Sequence, residues 1–403
     1  METLVLKFGG TSVGTTERIS AVADIIKHAS EEAFPVVVVS AMSGETDRLI
    51  QLANAFGSEP NKREFDALIS TGEKVSASLL AIALNQAGLK AKSLSAAQIG
   101  MKTTSQFSRA KILDFNNELI LSVINDGYIP VITGFQGITD AGDTTTLGRG
   151  GSDTTAVAIA ASIKSKRCDI YTDVDGIYTT DPRIVPEAKK LDSITMEEML
   201  ELSGQGAKVI QIRAVEFANK YQVPVRVLSS FEPGSGTLIL QEEPGMEDAI
   251  ITGLASQKDQ TKFTLHGVED TPGIAAGILS PLSDAGIEVD VIVQNVSVSG
   301  KTDFTFTVAT INRVEVETLL KEKLSNITYD EIIIDEAIGK VSLVGVGMRS
   351  HAGIASTAFN ALADAEVNIQ MISTSEIKIT LVINETQVEK AVQTLHNAFN
   401  LGA

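Results

Sequence analysis

Residues Leu147–Thr155 read LGRGGSDTT, with one arginine, three glycines and a Ser-Asp pair ahead of the small apolar run AVAIAASI. A structural turn rarely needs that whole set. Arg149 can grip a carboxylate with a bidentate fork that a lysine cannot match. Gly150 and Gly151 let a ligand lie against backbone N–H groups, Ser152 adds a hydroxyl, and Asp153 can orient a cation or an ammonium. Other loops have related chemistry. KFGGTSVG (Lys7–Gly14) puts a lysine and a glycine pair between a strand and a helix, which suits either an anion site or a tight turn. It is not the Walker pattern. STGEKVSASLLAIAL opens an apolar helix with Glu73, where an acid ordinarily compensates the helix dipole. VVVVSAMSGETDRL ends a buried strand at Ser40 and sets Thr46 at a helix start, where it reads as an N-cap.

YTDVDGIYTTDPR (Tyr171–Arg183) runs from a strand into a loop carrying Asp173, Asp175, Asp181 and Arg183. It lacks the closing glutamate of a calcium loop, and recognition of a nucleotide's sugar or base at a strand's carboxyl end fits better. GQGAKVI places Lys208 at another glycine-rich helix start. Together these loops form an anion-binding set suited to phosphoryl transfer from a nucleotide. An acceptor with a carboxylate for Arg149 and an ammonium for Glu73 is an amino acid.

The elements that must hold these loops follow from periodicity. Up to about residue 245, short β-rich runs (TLVLKF, FPVVVV, and those near Ile129–Thr133, Asp169–Thr172 and Val225–Leu228) alternate with helical patterns. The helical patterns include Lys74–Asn85, Thr154–Ser162, Met196–Leu202 and Lys208–Lys220. Continuous apolar strands alternating with helices predict an α/β sandwich with a mostly parallel sheet. The Pro- and Gly-rich stretch Ser229–Ala249 reads as the end of this domain and a linker. Beyond it lies an internal repeat. Residues 265–292 and 343–372 share a plan of strand, turn ending in Gly-Ile-Ala, amphipathic helix and second strand, at a constant offset of 80 residues from Gly273 and Gly353. KTDFTFTV and EIKITLVI supply further strand material after each copy, and repeats of this size normally pack on one another.

Composition excludes several classes of function. A net charge of −18 argues against a broad nucleic-acid or anionic-membrane surface, so an anionic substrate needs locally concentrated cations. Cys168 is the sole cysteine, which leaves no disulfide framework and no cysteine-based zinc site. Four scattered histidines form no ligand pair, and no metal site is expected of the side chains. Neither a signal peptide nor an apolar run of membrane-spanning length stands out, so the expectation is a cytoplasmic protein with no nucleic-acid or membrane partner.

KFGGTSVG, STGEKVSA, TTLGRGGSDTTA and YTDVDGIYTTDPR resemble the signature segments of the aspartate kinases, within the amino-acid kinase superfamily. DTPGIAA, VIVQNVS and NIQMISTSEIKI resemble the paired ACT domains of its monofunctional, feedback-inhibited members. The resemblance covers essentially the whole chain. It implies a three-layer αβα sandwich over 1–245, then two ferredoxin-like βαββαβ ACT domains at 246–338 and 339–403, with strand 250–257 pairing into the second. It also implies transfer of the ATP γ-phosphate to the β-carboxylate of L-aspartate, with Mg²⁺ held mainly by the nucleotide phosphates.

By similarity, Lys7, Phe8, Gly9, Gly10, Ser40, Ser152 and Lys208 face the ATP phosphates, and Thr172, Asp173, Asp175, Tyr178, Asp181 and Arg183 line the nucleoside site. Thr46, Glu73, Arg149, Gly150, Gly151 and Ser152 hold aspartate, and Lys7, Asp153 and Lys208 are the catalytic set. The first repeat contributes Asp270, Gly273, Ile274, Ala275, Gln294 and Asn295 to effector sites. The second contributes His351, Ile354, Asn368, Ile369, Ser375 and Glu376. The implied effectors are lysine and threonine, singly or in concert. The chain is expected to self-associate through its ACT domains as a homodimer or higher, or as an α2β2 assembly with a regulatory subunit started internally near Met246. Two other readings remain: a kinase acting on glutamate or acetylglutamate, and a non-catalytic amino-acid sensor.

Overall fold

The computed structural model describes residues 1–57, 60–207, 209–241, 251–295, 300–324, 327–351 and 353–402. Two compact units emerge. The first comprises residues 1–178, 190–204 and 208–246, and the second 179–189, 205–207 and 247–403.

The first unit begins with β1 (Thr3–Phe8), α1 (Thr16–Ala29), β2 (Phe34–Val39), α2 (Glu45–Asn54), α3 (Lys62–Ile69) and α4 (Thr71–Gln86). It continues through β3 (Ala91–Leu94), β4 (Lys102–Thr103), β5 (Ile112–Asp114), α5 (Glu118–Asn125), β6 (Ile129–Thr133), β7 (Gln136–Ile138) and β8 (Thr144–Thr146). After α6 (Gly151–Ser162) and β9 (Cys168–Thr172) come β10 (Ser193–Thr195), α7 (Met196–Gly204), α8 (Ile212–Tyr221), β11 (Val225–Ser229) and β12 (Thr237–Leu240).

Eight strands form one sheet in the order β10-β12-β11-β9-β1-β2-β6-β3. Every pairing is parallel except β11 with β12. The central strands are sealed on both faces, as unbroken valine and leucine runs require. One face packs Leu4, Leu6 and Phe8 against Val22 and Ile26 of α1 and Leu80 and Leu84 of α4. Across the other lies α6, whose residues Gly151–Ala160 are all buried. A second, four-stranded sheet, β5-β4-β7-β8, carries the chain into the LGRGGSD loop.

Three expectations shift here. Helix α6 starts at Gly151, so Ser152 and Asp153 stand in its first turn, because two glycines end the preceding loop and permit the tight entry. The Lys208–Lys220 pattern becomes helical only at Ile212, and Lys208 and Met246 lie outside the described residues. Part of the expected linker is strand β12: a left-handed Gly236 (φ 70°) turns TLIL back alongside β11. The helical run Lys62–Gln86 is long and apolar enough to cross a membrane. It packs instead on β3, β6 and α1, with Asp66, Glu73 and Ser76 buried within the unit.

The second unit holds β13 (Gly253–Glu269), α9 (Ile274–Asp284), β14 (Ile292–Gln294), β15 (Lys301–Ala309), α10 (Arg313–Lys323) and β16 (Glu331–Val344). Then follow α11 (Ile354–Asp364), β17 (Ile369–Thr374), β18 (Lys378–Asn384) and α12 (Val388–Ala398). One antiparallel sheet, β14-β15-β13-β16-β18-β17, serves both repeats. The C-terminal half of β13 pairs with β15 and the start of β16. Its first residues, Gly253–Gln257, pair with Lys340–Val344. Bulges near Gln260, beside a left-handed Asp259 (φ 58°), separate the two stretches. Helices α9 and α11 begin 80 residues apart at N-cap glycines with φ of 95° and 94°, so the repeat seen in sequence is a repeat of backbone conformation. Each repeat has its own core, Phe263, Phe304 and Phe306 in the first and Leu343, Leu362, Leu381 and Leu395 in the second.

Candidate active site

The carboxyl ends of β1 and β2, the start of α4 and the start of α6 meet around a cavity of about 290 Å³ within the first unit. Its walls include Lys7, Gly10, Ser40, Thr46, Glu73, Arg149, Gly150, Gly151, Ser152 and Asp153. Residues scattered over about 150 positions of sequence therefore share one hollow, where the helices present their N-terminal N–H groups.

Successive side chains of a strand point to opposite faces. Lys7 therefore faces α6, where its Nζ lies 2.6 Å from Asp153 Oδ1, with both side chains about nine-tenths buried. Phe8 faces the other way, wholly buried and stacked on Tyr171 at 4.8 Å. Its side chain is sealed in the core, and any part it takes in nucleotide binding falls to its backbone. Gly9 donates its N–H to the Tyr171 carbonyl (3.1 Å), which ties the glycine loop to β9. A Cβ on Gly10 would meet the Ala41 carbonyl at 2.9 Å, so the two loops fit only with glycine there.

Glu73 does not behave as an exposed dipole-compensating acid. It is 3% exposed, and its Oε1 accepts the Ala41 N–H at 3.0 Å. Its Oε2 is buried with no hydrogen-bond partner among the described residues. Burial pushes its carboxyl up to about 7, against the lowering pull of the Ala41 N–H, its own backbone and Gln136. The glycine before it makes this possible: a Cβ on Gly72 would strike the Ala41 Cβ at 2.7 Å. Nearby, the Ser76 hydroxyl donates to the Ser40 carbonyl (2.7 Å) and fixes the end of β2.

Thr46 is not an N-cap. Gly44, left-handed at φ 78°, takes that position, and Thr46 sits in the first turn of α2 with its side chain at the cavity. Arg149 is exposed and pairs with no described carboxylate, so its guanidinium is available to a ligand. Gly150 caps α6 at φ 69°, and a Cβ there would overlap the Gln211 side chain at 1.7 Å. A Cβ on Gly134 would collide with Ser152 at 2.7 Å, so the residue after Thr133 is also restricted.

Among the described residues, none of those expected at the nucleoside lines this cavity. Thr172 and Asp173 follow directly from β9, the strand beside β1, with the Thr172 hydroxyl 3.2 Å from Asp173. Asp175 receives the Tyr178 hydroxyl (2.9 Å) and Lys190 Nζ (3.2 Å). Burial raises its carboxyl, but these two partners outweigh burial and hold it below the ordinary value. Asp181 and Arg183 belong to the second unit, where the guanidinium pairs with the carboxylate at 2.7 Å. The expected effector residues are largely exposed at helix starts and sheet edges of the second unit. Ile274 and Ala275 open α9, Gln294 ends the edge strand β14, Ile354 opens α11 and Ile369 starts the opposite edge strand β17. His351 Nδ1 contacts the Gly347 carbonyl at 2.8 Å, and the Ser375 N–H reaches the Lys378 carbonyl at 2.8 Å.

Sequence reasoning overlooked Ala41, whose N–H holds Glu73, and Phe135, which lines the cavity with φ at 70°. The small-residue loop after Ser40 was a signal for the first. Nothing local marks the second.

Comparison with known proteins identifies the family. The amino acid kinase family matches residues 2–229, and the ACT domain matches 265–325 and again 341–399. The chain is 54% identical to an aspartokinase of Pseudomonas aeruginosa, over all of this chain and 98% of that one. It is 48% identical to an aspartokinase of Helicobacter pylori over 99% of each. Among solved structures, E. coli aspartokinase III with aspartate and ADP, in its R-state, superposes with a TM-score of 0.86. That match is at 28% identity and covers 98% of this chain and 99% of that one. The same enzyme with lysine and aspartate, in its T-state, gives 0.76 at 28% identity over 99% and 100%. With a family match over more than half its length and relatives aligned from end to end, the chain belongs to the aspartokinases of the amino acid kinase family.

Proposed function

We propose that the cavity carries an aspartate kinase reaction in which Arg149 grips the α-carboxylate of L-aspartate and Glu73 receives its α-ammonium. The supporting observation is the orphaned, buried Glu73 oxygen in a hollow that also holds an arginine paired with no described carboxylate. A buried carboxylate with one oxygen unpartnered calls for a cationic ligand. The β-carboxylate of the acceptor then attacks the γ-phosphorus of ATP, giving 4-phospho-L-aspartate and ADP. An ordinary aspartate carboxyl titrates near 3.9, so the nucleophile is already ionised and needs no general base. Among the described residues no histidine lines the cavity, in keeping with that chemistry.

Catalysis is in-line positioning plus stabilisation of charge on the moving phosphoryl group. Lys7 and the N–H groups at the start of α6 act on the phosphoryl oxygens. Asp153 holds the Lys7 ammonium at its place between the two substrates. Mg²⁺ would be held mainly by the nucleotide phosphates. When bound it neutralises phosphate charge. The glycine loop after β1 and Thr172–Asp173 after β9 are the nucleotide side of the site. The two ACT repeats suit an oligomeric, feedback-controlled enzyme with lysine and threonine, singly or in concert, as effectors, and a cytoplasmic location goes with this reading.

The test is hydroxamate formation with ATP and Mg²⁺, using aspartate or glutamate, with and without lysine and threonine. Product with aspartate, little with glutamate and deeper inhibition by the pair of effectors is the expected pattern. Product with glutamate alone would reassign the acceptor.

A further inference from the structure

A second carboxylate on the same helical run serves a different purpose from Glu73. Asp66, in α3, is wholly buried and takes four hydrogen bonds. Its Oδ2 accepts the N–H groups of Ser108 (2.8 Å) and Thr146 (2.7 Å). Its Oδ1 accepts the hydroxyls of the same two residues, each at 3.0 Å. Thr146 ends β8, and Arg149 stands three residues further on. Arg213 of α8 completes the clamp, donating Nη1 to the Leu147 carbonyl at 2.5 Å and Nη2 to the Ala110 carbonyl at 3.2 Å. Ser70, between α3 and α4, keeps right-handed helical angles (φ −68°, ψ −10°), so the run from Asp66 to Glu73 is continuous. Seven residues are two helical turns, which set both carboxylates on one face.

One helical run, α3 into α4, thus carries the acid expected to hold the acceptor's ammonium and the acid that fixes the root of the arginine loop. We propose that Asp66 is a positioning residue for the acceptor. Through Thr146 it sets the span between Arg149 and the Glu73 pocket, and so the length of the amino dicarboxylate that is phosphorylated. This rests on the reading of the cavity as an amino-acid site. Buried, charge-assisted hydrogen bonds hold geometry more firmly than neutral ones, and a small misplacement of a clamp is costly in binding.

The experiment compares Asp66→Asn and Thr146→Val with the wild-type chain in kcat, in KM for aspartate and for ATP, and in the ratio of kcat/KM for aspartate over glutamate. Asp169→Asn serves as control, since that buried acid bridges Arg167 and Arg226, both at 2.5 Å, away from the loop. Asp66→Asn is expected to raise aspartate KM about tenfold and cut the aspartate-over-glutamate ratio by a similar factor, with ATP KM within about twofold. Thr146→Val, which keeps the volume and the N–H bond, is expected to move both in the same direction by about threefold. It decides the question if Asp66→Asn does not fold. The control is expected to lower Tm while leaving the aspartate-over-glutamate ratio unchanged. An unchanged ratio in folded Asp66 or Thr146 variants, or an equal fall in the control, overturns the proposal. A wild-type chain that phosphorylates neither amino acid overturns the reading beneath it, a result separate from anything the variants do.

Discussion

Lys7 and Arg149 are both cations at one cavity, yet they are held differently, and that difference separates their effects. Lys7 is buried and locked to Asp153, and the proposed reaction has it meet the charge that develops on a phosphoryl group. Lys7→Ala should lower kcat by about 10²–10³-fold with little change in aspartate KM, since removing one preorganised donor costs that much. A near-wild-type kcat in steady-state assays would refute the role. Arg149 is exposed and pairs with no described carboxylate, and the proposed reaction has it meet a ground-state carboxylate. Arg149→Lys should raise aspartate KM about 10- to 100-fold through loss of the bidentate fork, and an unchanged KM would dismiss it.

Glu73 makes a pH prediction. An unfolded chain loses this proton near 4.5, whereas the folded one keeps it to about 7. The folded state therefore binds the extra proton between these values, and stability falls as pH rises through them, by about 3 kcal/mol in total. Glu73→Gln should flatten the ligand-free Tm-versus-pH curve between pH 5 and 8 and be the more stable form at pH 8. Equal slopes would remove Glu73 as the cause. An ammonium favours the ionised carboxylate, so aspartate should bind wild type more tightly at pH 8 than at pH 6, read by calorimetry.

At the scale of elements, the entry to α6 is the most constrained feature of the site. Gly150 combines a left-handed φ with a Cβ direction filled by Gln211. Gly150→Ala should cost at least about 1–2 kcal/mol from the backbone alone, seen as lowered Tm. It should also raise aspartate KM, because Arg149 moves with the cap. Adding Gln211→Ala should recover the steric part but not the backbone part, and a double variant no better than the single would show that Gln211 does not resist. The helix expected from Thr154 was legible in its alanine-rich run. Its true start at Gly151 was not, since glycine has a low helix propensity and only the docking of the loop draws it into the first turn. The same holds for Thr46, which has the side chain of a cap but yields that place to a left-handed Gly44.

For the chain as a whole, the two repeats of the second unit are joined by covalently continuous strands, since β13 and β16 each contribute to both. Hydrogen exchange should therefore find the repeats losing protection together, as one cooperative unit. Two well-separated transitions between 253–335 and 340–398 would contradict shared strands. The sequence repeat itself was plain from its 80-residue offset. That its partners exchange strand halves was not, because a pairing register between distant strands leaves no local periodicity.

The one-dimensional chain was enough for the α/β alternation, the tandem repeat and the marking of the loops that carry Lys7, Glu73, Arg149 and Asp153, because glycine spacing and apolar period are properties of short segments. Tertiary packing settled the rest. It left one oxygen of Glu73 bare and saturated both oxygens of Asp66. It turned Lys7 toward the cavity and Phe8 away from it, and it gathered Asp181 and Arg183 into the second unit. Burial and hydrogen-bond partnership depend on residues far apart in the chain, so the same residue type becomes a ligand group or a strut only once its neighbours are in place.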